Sequence, residues 1–93
     1  MKDWKTKKLK NLVKIILSSK NEMELLNFFR DLCTLEELEE FSNRWEVVKL
    51  LNAGVSYREA AVKTGLSTTT ITRIAYWLNN GEGGYREALK RAK

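Results

Sequence analysis

The sequence has no proline, no histidine and only one cysteine among its 93 residues. Each absence removes a class of chemistry. Without histidine there is no imidazole general base, no histidine-based catalytic triad and no histidine metal ligand. A lone cysteine, Cys33, closes no internal disulfide and builds no thiolate zinc site, which points to a reducing, cytoplasmic compartment. Long apolar runs are missing as well. None approaches the roughly 20 residues that span a bilayer, and the Lys-rich start lacks the apolar segment and cleavage site of a signal peptide. No membrane partner is expected. Glu36, Glu37, Glu39 and Glu40 form a carboxylate run, but in the first turns of a helix they complement its dipole, so no enzyme is expected either. A chain of 93 residues is one domain at most, and as a monomer it would bury only about 60–65% of its unfolded surface.

All five glycines fall after residue 53, so the first half contains neither of the strongest helix breakers. That half reads as helices separated by caps. Asp3 is the expected cap of a first helix to about Leu17, whose Leu9, Leu12, Val13, Ile16 and Leu17 follow the helical spacing rule. Asn21 with Glu24, Thr34 with Glu37 and Ser56 with Glu59 have capping-box spacing. They open helices over about 22–33 and 35–53, and a short one that Gly65 ends. Ser67 caps the next, about 68–79. The Gly81–Gly84 stretch is a turn, without the strand and Lys-Ser/Thr sequel of a phosphate loop, and a last short helix covers 85–92. The expected class is all-α, with about six helices.

The second and third helices are apolar over much of their circumference. Met23, Leu25, Leu26, Phe28, Phe29, Leu32 and Cys33 crowd one, while the other carries Leu38, Phe41, Trp45 and Val48 on one side and Val47, Leu50 and Leu51 on another. Such helices need cover on more than one face. A homodimer with interleaved helices supplies it, because small chains often complete their core by association. The alternative is a monomeric bundle around one central helix. Trp4, Trp45 and Trp77 are expected as core or interface anchors, and Cys33 as a structural thiol.

Charge is divided along the chain. Residues 1–20 hold seven Lys against one Asp, for +6; residues 21–46 hold eight acids against two Arg, for −6. Residues 47–93 hold eight bases against three acids, for +5, which is also the net charge of the whole chain. Two basic ends therefore flank an acidic middle, a field that draws a polyanion to selected surfaces. Alternatively Lys2, Lys5, Lys7, Lys8 and Lys10 are a solvated, partly disordered arm.

Residues 56–76 have the make-up of a helix-turn-helix. Ala61 supplies a small residue where two helices cross, and Gly65 supplies a turn residue tolerant of left-handed backbone. Ala60, Leu66, Ile71 and Ile74 are placed to lock the second helix onto the first. On that second helix, Ile71, Ile74, Ala75 and Leu78 share one face, while Thr69, Thr72, Arg73 and Tyr76 share the other. Hydroxyls meet phosphates or base edges in a major groove, and Arg takes guanine bidentately. Ser67 and Thr68 lie at the helix N-terminus, whose free N–H groups favour a phosphate. Thr70, Arg58 and Lys63 complete the set of candidate DNA contacts, and no acid occurs between 60 and 81. Solvated threonines or a protein-binding head would share the pattern, but Thr is a mediocre helix former and costly as mere surface.

With Leu35-Glu36-Glu37, Asn43-Arg44, Gly54, Ser56-x-Arg58-Glu59, Gly65 and Thr70-Ile71-Thr72-Arg73, residues 34–78 resemble the tryptophan-repressor superfamily. The chain is most similar to its YerC/YecD branch, of which it looks like a full-length member. The resemblance implies an intertwined all-helical homodimer, with a core of residues 3–53 and 83–92 and a DNA-reading head of residues 56–80. It also implies a sequence-specific regulator of transcription, a repressor, binding double-stranded DNA; an RNA-binding or protein-interaction module is the alternative. No cofactor is expected, though the family suggests a small-molecule effector between the third helix and the recognition helix, held by two arginines. Those positions match Arg44 and Arg73, with Thr34 at another pocket position. Two residues depart from the pattern: Ile74 replaces a glycine, and Trp77 replaces a serine that binds the ligand's amino group. The expectation is that free tryptophan does not bind, with Trp77 plugging the pocket. Arg44 then either keeps an effector role or pairs with an acid such as Glu40.

Overall fold

A computed structural model describes residues 3–92 of the chain; Lys2 and Lys93, counted above in the basic ends, lie outside the described residues. Among the described residues there are six α-helices and no strand. They are α1 (Lys7–Leu17), α2 (Glu22–Leu32), α3 (Leu35–Asn52), α4 (Tyr57–Thr64), α5 (Thr68–Asn80) and α6 (Gly84–Arg91). The class and the number of helices are those the sequence leads one to expect. No helix among the described residues is long and apolar enough to cross a membrane. The chain divides into two compact units, Met1–Leu38 and Glu39–Lys93.

In the first unit, the cap of α1 is Thr6 rather than Asp3. The Thr6 hydroxyl oxygen accepts the Leu9 N–H at 3.1 Å, while the Asp3 carboxylate accepts the Lys5 N–H at 3.0 Å. A short acidic side chain bonded two residues ahead forms a turn of its own and is withdrawn from capping. Thr6, in extended backbone one residue before the helix, takes over. Lys7, Lys8 and Lys10 consequently stand on α1, not on a disordered arm. Lys5 places its ammonium 5.5 Å from the centre of the Trp4 ring.

Asn21 caps α2 through the Glu24 N–H at 2.9 Å, but the Glu24 carboxylate reaches back to the Lys20 N–H, one residue before the cap itself. Thr34 and Glu37 form the complete reciprocal box, at 2.8 and 3.0 Å, and open α3. No residue of α1 or α2 is buried. Leu17 is 77% exposed, and Met23, Leu26 and Leu32 are about half exposed or more. Trp4 is exposed too, so it anchors no core within the chain.

The second unit holds the core. Val47 and Val48 of α3, Ala60 of α4, and Ile71, Ile74 and Leu78 of α5 form one buried cluster. Trp45, Leu50, Leu51, Val55, Ala61, Leu66, Tyr85 and Leu89 pack around it. Two adjacent valines of α3 are buried here while Phe41, a turn and a half earlier, stays half exposed. The broad apolar circumference of α3 is thus covered along only part of its length. Gly54, at φ +87°, ends the helix in the left-handed conformation that residues with a Cβ resist.

Because Ile71 is fully buried in a close-packed cluster, its truncation leaves a hole that neighbours fill only in part. Ile71→Ala is expected to cost about 2–5 kcal/mol and Ile71→Val about 0.5–1.5 kcal/mol, read as shifts in the urea midpoint.

Candidate nucleic-acid interface

Helices α4 and α5 are joined by three residues, Gly65, Leu66 and Ser67. Gly65 adopts φ +76° and donates its N–H to the Ala61 carbonyl at 2.8 Å, closing α4. Ser67 then opens α5 in extended backbone. Its hydroxyl oxygen accepts the Thr70 N–H at 3.1 Å while its proton goes to the Thr70 hydroxyl at 3.0 Å. Leu66, between them, packs against the cluster. A helix end, a left-handed residue, an apolar anchor and a cap thus turn the chain within three residues.

The small residue deepest at the α4 crossing is Ala60 rather than Ala61. Ala60 is fully buried, whereas Ala61 is half-buried at the rim of the cluster. The buried stripe of α4 runs through Ala60 and half-buried Thr64, one turn apart, with the Thr64 hydroxyl tied back to the Ala60 carbonyl at 2.8 Å. Ala61 lies 100° round the helix from that line.

The face of α5 opposite the core is open. Ser67, Thr68, Thr69, Thr72, Arg73 and Tyr76 are exposed, and Thr70 is half-buried beneath its cap. Arg58 and Lys63 of α4 are exposed as well. Of the two, Lys63 lies 3.9 Å from Glu59, and Arg58 makes no ion pair among the described residues; nor does Arg73. Thr72 spends its proton on the Thr68 carbonyl at 2.9 Å, so its hydroxyl faces outward as an acceptor only. The result is an exposed strip of hydroxyls, one unpaired guanidinium and a phenol, on a helix without an acid.

Comparison with known proteins decides the family. The family described as Trp repressor protein matches residues 7–93. The chain belongs to the Trp repressor family. It is 41% identical over 87 residues to the uncharacterised protein YerC of Bacillus subtilis, covering 94% of this chain and 84% of that one. Among solved structures, it resembles a TrpR-like protein from Eubacterium eligens at a TM-score of 0.88 and 41% identity, over 94% of this chain and 90% of the other. A Staphylococcus aureus protein described provisionally as a Trp repressor superposes at a TM-score of 0.86 with 34% identity, over 94% and 87% of the two chains.

The residues expected at a Trp repressor effector site occupy three different environments. Arg44 pairs with Glu40 one turn before it on α3, the same-helix form of the ion pair expected from sequence. Its Nε is buried without a hydrogen-bond partner. Arg73 is exposed, and Thr34, in the first unit, is engaged in its capping box. The residue that fills space beside α3 is Ile74, fully buried with Val47 and Val48. Trp77 is no plug within this chain: it is 47% exposed, because it lies three positions past Ile74 and one before Leu78, turned off the buried stripe. It borders a cavity of about 610 Å³ with Tyr76, Asn80, Gly81, Glu82, Gly84 and Tyr85.

Sequence reasoning gave this turn no role beyond linking helices. The signal lay in Gly81, whose N–H reaches the Trp77 carbonyl at 2.9 Å. A Cβ built there would stand 2.4 Å from that same oxygen, whereas one at Gly84 meets nothing within 4 Å. Gly81→Ala is therefore expected to destabilise the protein by more than 1 kcal/mol as the turn shifts, and Gly84→Ala to be neutral or stabilising by up to about 1 kcal/mol. Thermal unfolding of the two variants side by side checks this. The Arg44–Glu40 pair, exposed and within one helix, is worth about 0.3–0.5 kcal/mol, so Glu40→Gln should barely move the midpoint.

Proposed function

We infer that the protein is a sequence-specific DNA-binding regulator of transcription, acting as a repressor and binding as a homodimer through α4 and α5. The observation that carries this reading is the division of α5 into a buried face, Ile71, Ile74, Ala75 and Leu78, and an exposed acid-free face. Packing holds the helix rigidly while Thr69, Thr72, Arg73 and Tyr76 point outward. Arg73 suits the O6 and N7 acceptors of guanine, and the hydroxyls suit phosphates or base edges. The Ser67 end of α5 suits a backbone phosphate. Lysines on α1 add a charge-driven component without sequence preference.

The dimer is supported by what α1 and α2 leave uncovered. Two helices with no buried residue and several exposed Leu, Ile, Val and Met side chains need a partner for their apolar faces. A second copy gives that partner together with a second recognition helix. Two such helices would read half-sites about 34 Å apart, one turn of the duplex. No cofactor is part of the proposal. Free tryptophan is not the effector, because buried Ile74 occupies the space a flat ring would need beside α3.

Light scattering should give about twice the 10.8 kDa chain mass; a monomer at micromolar concentration overturns the dimer. In a selection from random duplexes, Arg73→Ala should relax preference at one base pair, at a cost of about 1–3 kcal/mol against the best site. Replacing Lys7, Lys8 and Lys10 with Gln should instead weaken all duplexes alike and flatten the salt dependence. Unchanged selection with Arg73→Ala sinks the assignment of α5. Titration calorimetry with L-tryptophan should show no micromolar binding.

A further inference from the structure

The cavity at the end of α5 is unlike the rest of this basic protein. Three aromatic side chains border it: Tyr76 and Trp77 from the last turns of α5, and Tyr85 from the first turn of α6. None of its seven lining residues is basic, and one, Glu82, is an acid. Glu82 is the first acid after Glu59 in the chain, it is exposed, and it belongs to no ion pair among the described residues. Nearby charges are already engaged. Arg86 donates to the Asn79 side chain at 2.7 Å, and Lys90 lies 3.9 Å from Glu87. The C-terminal end of α5, with its partial negative charge, opens on the same space at Asn80 and Gly81.

Aromatic faces carry negative electrostatic potential, and a carboxylate and a helix C-terminus add to it. All three favour a cation, and the rings favour one whose charge is spread over a weakly hydrated, partly apolar surface. A metal ion lacks a ligand set here, and an anion meets only repulsion. We propose that this cavity binds a small organic cation, an amine or quaternary ammonium, held between the rings of Tyr76, Trp77 and Tyr85 with its charge toward Glu82. At about 610 Å³ the space accepts a molecule of amino-acid or choline size. The site is separate from the arginines of the family's effector position, since neither Arg44 nor Arg73 lines it. It stands whether or not α5 reads DNA.

The test uses the full chain and two probes of nearly equal shape, choline and its uncharged isostere 3,3-dimethylbutan-1-ol. Calorimetry should give saturable 1:1 binding of choline and at least five-fold weaker binding of the isostere. Proton NMR should show the choline methyl signal moved upfield by the rings. Glu82→Gln and Trp77→Leu should each weaken choline binding about five- to ten-fold, with helix content by circular dichroism unchanged. Equal binding of both probes, or Glu82→Gln without effect, would overturn the proposal. So would the absence of saturable binding up to tens of millimolar. If a second copy of the chain closes the cavity, choline affinity will fall as protein concentration rises, and that result overturns it too.

Discussion

The contact of α5 with Val47, Val48 and Ala60 is the constraint on which the second unit depends. Four residues of a 13-residue helix, Ile71, Ile74, Ala75 and Leu78, are buried, and they lie on one stripe at helical spacing. Everything else in the unit is fixed with respect to that stripe. It sets which side chains of α5 face outward, and it determines how closely α4 must approach, hence the alanine at position 60. It also leaves Trp77 beside the core rather than inside it. Ile74 is central in another sense, because a branched side chain in this place closes the space between α3 and α5 that an effector of the family would need.

The turn elements serve that packing. Ser67 and Thr70 satisfy each other's hydroxyls and one helix N–H, and Gly65 takes the left-handed backbone that lets α5 begin only three residues after α4 ends. The same economy appears at Thr34 and Glu37, where two side chains satisfy two backbone N–H groups. Caps of this kind act over three residues, so they are among the most local determinants of the fold.

Much of the fold was readable for that reason. The caps at Asn21, Thr34, Ser56 and Ser67, and the breaks at Gly54 and Gly65, rest on interactions within a few positions of one another. The buried face of α5 could be read from 100° spacing alone. What was misread depends on competition or on distance. Asp3 and Thr6 both have capping chemistry, and only the backbone turn that Asp3 makes for itself decides between them. Ala60 and Ala61 are identical side chains, and their difference is one of rotation about α4. Trp77 as a plug required knowing that its neighbour Ile74 already fills the core. The cavity of Tyr76, Trp77, Glu82 and Tyr85 joins two helices across a turn, and no local pattern announces it.

The arrangement of α5 separates two demands that are often in conflict. Its caps use Ser67, Thr70 and Gly81, its packing uses Ile71, Ile74, Ala75 and Leu78, and neither set draws on Thr69, Arg73 or Tyr76. Exchange of those three outward residues should therefore cost the fold no more than ordinary surface changes, within about 0.5 kcal/mol. A scaffold built this way can acquire a new recognition surface in single steps without first gaining stability to spare. Drift in what the outward face reads is thus uncoupled from drift in whether the chain folds.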